Sequence, residues 1–358
     1  MDIIQICNDF SIKGEFSSYR VITNGNINTT YKVKTVDENG MHQYLFQKIN
    51  KNVFSRPDHI MENITRINEY IDSVKKTSDL IILHFIKSKS GEPFVIDEDG
   101  NFWRACKFFD CACYNTTDDL EIIEEAGRAF GEFQYLLSNF DASVLHITIP
   151  DFHNTKKRIS KLEKTIKYAE SDRKEECKDE ISYVLSNKKT GELLTDLLEK
   201  GELPLRVTHN DTKCNNVIFN KDTKKALAVI DLDTIMPGLC CYDFGDGARS
   251  ICSMTEEDET DLSKVSFNLD KFESFTKGYF KFLKNSITEK ERETFALSVY
   301  VMTLELASRF LQDYLNGDTY FKVSMKKHNL IRTRCQIALC RDIFDKLDKM
   351  NEIVKKYT

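Results

Sequence analysis

Glycine and proline are scarce in this chain, 14 and 5 residues of 358. That excludes collagen-like repeats, Gly/Ser linkers and Pro-rich disordered tracts. Basic charge is not in excess either. Lys and Arg number 51 against 57 Asp and Glu, a net charge of −6, so the electrostatic footprint of a nucleic-acid binder is missing. No CxxC pair occurs among the eleven cysteines, and the close pairs Cys111/Cys113 and Cys240/Cys241 lack a suitably spaced histidine. A structural zinc site is therefore not expected. The cysteines read instead as free, mostly buried thiols of a reducing cytosol, which predicts a cytoplasmic protein. The opening MDIIQICNDF has an early Asp and no basic stretch before an apolar run, unlike a secretory signal. No uninterrupted apolar run approaches the ~18 residues of a membrane span, so neither nucleic acid nor membrane is an expected partner.

What is present suits a globular fold. Hydrophobic residues make up 41% and charged residues 30%, which is ordinary for such chains. At roughly 100–200 residues per domain the length suggests about two. The first hundred residues read mainly as strands. Residues 31–36 alternate with period two, Asn39-Gly40 marks a hairpin turn, and 42–49 return as the partner strand. Residues 94–96 and 102–108 read as a second hairpin. Between them, 56–74 carries Ile60, Ile64, Ile67 and Ile71 at helical spacing. From 118 the period changes. Ile122, Ala126, Phe130, Phe133 and Leu137 predict a helix capped by Asp118 and Glu121. A charged helix is expected over 155–185, strands over 207–219 and 226–230, a capping box at Thr288 and Glu291, and an amphipathic helix over 340–356. The expected architecture is α+β, with a small strand-rich lobe over 1–108 and a larger, mostly helical lobe over 109–358.

The densest polar cluster is Thr208–Asn216, followed by an apolar strand and then by a second strand ending in Asp231-Leu232-Asp233. Two strands bearing carboxylates and amides at their ends project Asp211, Asn216 and Asp231 to one side. Two carboxylates and an amide are oxygen donors of the kind that suit Mg²⁺, which takes few protein ligands and keeps water and phosphate. An HxDxxxxN stretch followed by a strand-borne Asp is the pattern of phosphoryl-transfer enzymes with the protein-kinase-like fold. In that pattern the first Asp deprotonates the acceptor hydroxyl, while Asn and the later Asp hold the metal. Asp211 would otherwise cap a turn; its interval to Asn216 and Asp231 favours the catalytic role. His209 reads as a support that fixes the loop through backbone.

The wording of this segment, VTHNDTKCNNVIF and AVIDLDTIMPGLCCYDFGD, resembles the aminoglycoside phosphotransferase and choline kinase superfamily. Within it the chain looks most like the N-acetylhexosamine 1-kinases. The likeness recurs at FQKINKNVF (46–54), AGRAFGEFQYLL (126–137), IPDFHNTKKR (149–158) and LELASRFLQDYLNGDTYFKV (304–323). It implies two lobes with ATP between them, and transfer of the γ-phosphate to the anomeric hydroxyl of N-acetylglucosamine or N-acetylgalactosamine. Carried over, it makes Asp211 the base and Asn216 and Asp231 the Mg²⁺ ligands. Asn24, Gly25, Asn26, Asn28, Thr29 and Thr30 match the loop over the phosphates. Lys48 matches the strand-borne cation, with Glu62 its first candidate partner, and Phe108, Phe109 and Asp110 match the hinge beside adenine. Lys48 also shares a strand face with Tyr44 and Phe46, where a lysine snorkels over aromatics. Asp233, Asp243, Arg309 and Tyr320 are nominated for the substrate side. For Asp233 a second metal contact or a backbone hydrogen bond is the alternative, for Asp243 an anchor for the loop, for Arg309 an ion pair and for Tyr320 a core position. Within the superfamily, choline, homoserine, methylthioribose and aminoglycosides are the other acceptors. Outside that activity, a DxD glycosyltransferase or a non-catalytic kinase-like binding module remain.

Overall fold

The structure is a computed structural model that describes residues 3–22, 27–74 and 78–358. Asn24, Gly25 and Asn26, matched above to the phosphate loop, lie outside the described residues. The described chain has the expected α+β organisation. Helix α1 (Ile3–Asp9) leads into strands β1 (Glu15–Ile22), β2 (Thr29–Asp37) and β3 (Gly40–Lys48). Helix α2 (Pro57–Val74) follows, then β4 (Val95–Ile96) and β5 (Phe102–Lys107). The five strands form one antiparallel sheet in the order β1-β2-β3-β5-β4. Its register is set by the predicted hairpin, which runs from Asp37↔Gly40 at the turn to Thr29↔Lys48 at the open end. Gly40 sits at φ 115°, which a side chain disfavours.

Alternation along these strands splits the sheet into two unlike faces. On the outer face Val33, Tyr44, Phe46, Trp103 and Ala105 join Ile3, Ile6, Cys7 and Phe10 in a small core of their own. Phe10 meets Phe46 edge to face at 5.4 Å. The stripe Ile60, Ile64, Ile67 and Ile71 of α2 instead joins the core of the large lobe. Asn63 fastens that helix there. Its amide donates to the carbonyls of His146 (2.8 Å) and Ile235 (3.0 Å), and its Oδ1 accepts from His146 N–H.

The large lobe begins with α3 (Leu120–Leu136), followed by α4 (Thr155–Tyr168), α5 (Ser171–Glu176), α6 (Lys178–Ser186) and α7 (Lys188–Glu199). Two strand pairs come next: β6 (Arg206–Thr208) with β9 (Met236–Gly238), and β7 (Val217–Phe219) with β8 (Ala226–Val229). Helices α8 (Cys240–Cys252), α9 (Leu269–Leu283), α10 (Glu289–Leu315), α11 (His328–Asp345) and α12 (Leu347–Tyr357) complete it. Two glycines explain why α3 and α9 lie so close. A Cβ on Gly127 would stand 2.2 Å from Phe275 O, and one on Gly131 would stand 1.9 Å from Tyr279 O. Phe244 of α8 is surrounded by the rings of Phe272, Phe275, Tyr279, Phe280 and Phe295 at 5.2–5.8 Å. Burying each such ring contributes about 1.5–3 kcal/mol. Among the described residues α10 alone is long and apolar enough to cross a membrane, and its most apolar stretch is buried inside this lobe.

Several boundaries differ from the sequence reading. The helix expected over 155–185 is three helices. Thr155, Ile159 and Leu162 anchor the first part, and the breaks let Cys177 and Val184 reach the core as well. Asp119, not Asp118, caps α3 by accepting from Glu121 N–H; Asp118 pairs with Lys271 at 2.7 Å. The last helix breaks at Lys346, whereas the 207–219 segment has the expected strands around its polar loop. The Thr288/Glu291 capping box is present. Among the described residues, which include all eleven cysteines, no disulfide forms.

Candidate active site

The loop from Thr208 to Asn216 is gripped from below by the start of α8. Asp243 is buried there. Its Oδ2 accepts from His209 N–H (2.8 Å) and from the Gln134 amide of α3 (2.6 Å), and its Oδ1 accepts from Asn210 N–H (2.8 Å). Burial raises its carboxyl above the usual range, although His209 and the backbone donors pull the other way. The nomination of Asp243 for the substrate side is thereby corrected: every contact of its carboxylate is inside the protein, and it holds the loop as an anchor. Asp246 takes Thr212 N–H and the Arg249 guanidinium. Burial works against its ionisation, but Arg249 and Lys213 outweigh that and hold it below the ordinary range.

His209 ties the loop to the second strand pair. Its Nδ1 accepts from Asp211 N–H at 3.3 Å and its Nε2 donates to Ile230 O at 2.8 Å, the bonding of a neutral ring with the proton on Nε2. Asp211 follows, partly exposed. Both hydrogens of the Asn216 amide are aimed at it, one at its carbonyl (2.7 Å) and one at its Oδ2 (3.1 Å). Asn216 Oδ1 is left without a hydrogen-bond partner among the described residues. Ile230 N–H donates to Asn216 O at 2.9 Å, which sets Asp231 beside this pair. Asp231 has φ 60°, ψ 56°, a left-handed backbone costing about 1–2 kcal/mol. Strain of this kind collects where a site needs a particular direction. The Asp231 carboxyl opens to solvent at the cleft yet is walled by protein. Burial first, then the charges of Asp233 and Asp211, push it up to about 6.

Repelling carboxylates beside an uncommitted amide oxygen are a donor set that a hard divalent cation relieves. Among the described residues no group of three His, Cys, Asp or Glu side chains is arranged for a metal. Two protein ligands, Asn216 and Asp231, with water and phosphate for the rest, fit Mg²⁺ and do not fit a protein-only cage.

Across the cleft, the inner face of the small-lobe sheet meets the turn after Asp231. Arg104 of β5 forms a buried ion pair with Asp233 Oδ1 and donates to Gln47 Oε1 at 2.9 Å. Asn28 donates to Asp233 Oδ2 at 2.8 Å. Asp233 is therefore neither a metal contact nor a substrate contact, since both of its oxygens are taken by the small lobe. Asn28 is committed there too, and its Oδ1 accepts from Asn50 N–H. Lys48 falls on the other face. Its register partners are Thr29 and Trp103, and it alternates with Gln47, so it shares the side of Tyr44 and Phe46. Among the described residues it has no ion pair. Glu62 does not reach it, because that carboxylate binds His146 (2.8 Å) and Arg66 (3.5 Å). Thr30 lies on the inner face, where Gln47 Nε2 donates to its hydroxyl at 3.4 Å, and Thr29 opens β2. Phe108, Phe109 and Asp110 carry the chain from β5 towards the large lobe. Phe108 N–H donates to Gln43 O, Lys32 Nζ stands 3.4 Å over the Phe108 ring, and Asp110 pairs with Lys221.

Arg309 of α10 lies against the rings of Phe152 (5.7 Å) and Phe321 (5.5 Å). Tyr320 is 73% exposed, so it is not core; its ring meets Phe321 at 4.8 Å. Arg158 donates to Phe152 O. Neither Arg309 nor Arg158 has an ion-pair partner among the described residues. A cavity of about 630 Å³ between α2 and residues 84–94 is lined by Glu62 and Arg66 but by none of Asp211, Asn216, Asp231, Arg309 and Tyr320.

Sequence reasoning missed three things. Lys213 stands 3.1 Å from Asp211 Oδ1, and Asp211 is the first cause of its raised pKa; its place two residues after Asp211 was the available signal. Arg104 was legible only as one base in an apolar strand. The meeting of His153 with Asn210 had no local signal.

A two-lobed fold with Asp, Asn and Asp converging at the cleft defines a kinase-like phosphotransferase class. The comparisons agree with it. A family described as a phosphotransferase enzyme family matches residues 18–265. The chain belongs to that family. A probable ethanolamine kinase of Nematostella vectensis is 31% identical over 147 residues. That match covers 40% of this chain, and the chain spans only 40% of that curated relative. The solved structure of a microcompartment-associated aminopropanol kinase superposes with a TM-score of 0.64 at 14% identity, covering 98% of both chains. A spectinomycin phosphotransferase in complex with ADP and its drug gives 0.57 at 11% identity, over 97% of this chain and 98% of that one. At such identities the structures speak for the shared fold.

Proposed function

We propose that this protein is an ATP-dependent sugar 1-kinase, which transfers the γ-phosphate to the anomeric hydroxyl of an N-acetylhexosamine. The observation that carries the phosphotransfer reading is the convergence of Asp211, Asn216 and Asp231 at the cleft, with Asn216 hydrogen-bonded to Asp211. Adenine lies beside Phe108–Asp110. Asn216 and Asp231 would hold Mg²⁺, which would supply positive charge to neutralise the phosphates. Phosphoryl transfer runs through a loose transition state, so the protein mainly positions groups and balances charge. Asp211 accepts a hydrogen bond from the acceptor hydroxyl and takes its proton late. Lys213, beside it, sets positive charge near the transferring group. Arg104 holds Asp233, and with it the turn that aims Asp231.

The sugar is supported by the hexosamine-kinase resemblance of 304–323. Arg158 and Arg309, which form no direct ion pair among the described residues, add positive charge beside the 149–158 and 304–323 segments, a poor setting for a cationic acceptor. The second reading is an amino alcohol, favoured by the names of the ethanolamine and aminopropanol kinases. ADP release measured with N-acetylglucosamine, N-acetylgalactosamine, ethanolamine, choline and aminopropanol separates them. Turnover with either acetylated sugar is expected; turnover with amines alone replaces the sugar reading, and silence with every acceptor supports a binding module.

A further inference from the structure

Two of the hexosamine-kinase-like segments, around 149–158 and 304–323, meet behind the catalytic loop rather than only at its open side. His153, between Phe152 and the start of α4, is buried, as is Glu305 of α10. His153 Nε2 lies 3.0 Å from Asn210 O, and Nδ1 lies 3.0 Å from Glu305 Oε1. A backbone carbonyl only accepts, so Nε2 carries a proton. The other oxygen of Glu305 accepts from the Thr155 hydroxyl at 2.9 Å, so the carboxylate is fixed in place. The ring thus bridges a buried acid to the peptide immediately before Asp211.

That peptide is held at both ends. His153 donates to its oxygen, and its N–H, that of Asp211, donates to His209 Nδ1 at 3.3 Å. Asn210 has φ 64°, so a non-glycine residue is kept in a left-handed conformation here. Its side chain is committed elsewhere, with Nδ2 donating to Thr208 O and Thr234 O. Without His153, among the described residues, no side chain binds the Asn210 carbonyl.

We propose that His153, carrying two ring protons against Glu305, is a positioning residue that locks the Asn210–Asp211 peptide and so aims the Asp211 carboxylate at the acceptor hydroxyl. The proposal rests on the reading of Asp211 as the base. Other charged groups around the pair act in keeping with it. Burial opposes a charge on His153, but Glu305 and Asp246 more than offset that and raise its pKa. Burial likewise opposes a charge on Glu305, and His153, Arg309 and Arg158 hold it ionised.

Two near-isosteric variants separate positioning from bulk support. The His153→Gln variant places an amide donor where Nε2 was and keeps the bond to Asn210 O. The His153→Asn variant places its amide where Nδ1 was and cannot reach that carbonyl. Both lose the charge facing Glu305, so both should melt lower by similar amounts. ADP release with N-acetylglucosamine, and the slow release without acceptor, should show kcat reduced about 100-fold in His153→Asn, the scale of a 1 Å misplacement. KM for MgATP should stay unchanged, and His153→Gln should recover most of kcat. Equal kcat in the two variants, or the reverse order, overturns the positioning role. Selective ¹⁵N-histidine labelling reads the ring directly: one imidazole that keeps both protons above the pH at which an ordinary imidazole loses one, and absent from His153→Gln, is expected. A neutral ring for His153 would falsify the two-proton assignment. Asp211→Asn serves as control. Full turnover in it sinks the base reading and this inference with it, whereas an impaired Asp211→Asn beside matched His153 variants sinks this inference alone.

Discussion

The two faces of the small-lobe sheet are built from the same strands and do opposite work. On the outer face, Val33, Tyr44, Phe46 and Trp103 close a private core with α1, and Lys48 sits on that side. On the inner face, Thr30, Gln47 and Arg104 form a hydrogen-bonded row that ends on Asp233 of the large lobe. One face stabilises the lobe, and the other couples it to the turn carrying Asp231. The contrast shows that a cation's strand parity, more than its presence near a motif, decides whether it can serve the cleft.

The comparison can be broken most sharply from the opposite wall. Asp211→Asn should lower kcat by about 10²–10⁴-fold, the usual contribution of a positioned general base, while calorimetric MgATP affinity persists. Near-normal turnover would detach the inner face from any catalytic partner. Next in size, Arg104→Met strands Asp233 buried without its guanidinium, which costs about 3–5 kcal/mol; denaturant unfolding should show it. A shift no larger than that of an exposed pair would contradict the buried coupling.

A pH series sharpens the picture further. The Asp231 carboxyl is raised to about 6, above its unfolded value, by burial and by Asp233 and Asp211. The folded protein therefore holds a proton that the unfolded chain has released. That stabilisation is complete below the unfolded pKa and fades as pH rises through about 6. With Asp231 as the proposed metal ligand, MgATP would compete with the same proton. Its affinity, measured by calorimetry, should climb with pH and level off above about 6, and Asp231→Asn should flatten the curve. The smallest effect belongs to the outer face. Lys48→Met should change stability by no more than about 0.5 kcal/mol, with turnover unaltered. A large loss of activity there would overturn the parity argument.

Much of the site was legible because it is local. Asp211 and Asn216 lie on one loop, Asp231 ends the next strand, and short strand pairing alone brings them together. The β2–β3 hairpin was equally readable from alternation and Asn39-Gly40. What escaped depended on distance along the chain. Asp243 looked like a site residue by its neighbourhood in sequence, but helix α8 turns it under the loop. His153 and Glu305 stand 152 positions apart, and no periodicity announces their meeting. Lys48 was visibly on the side of Tyr44 and Phe46, yet only the packed lobes reveal which side faces the cleft.

The amino-acid order by itself determined the lobes' differing periods, the phosphotransfer motif and the oxygen character of its donors, since these follow from nearest-neighbour spacing and side-chain chemistry. Tertiary structure alone decided which charged groups became buried pairs and which stayed at the cleft. Desolvation and strand parity depend on what each residue packs against, and that is a property of the folded whole.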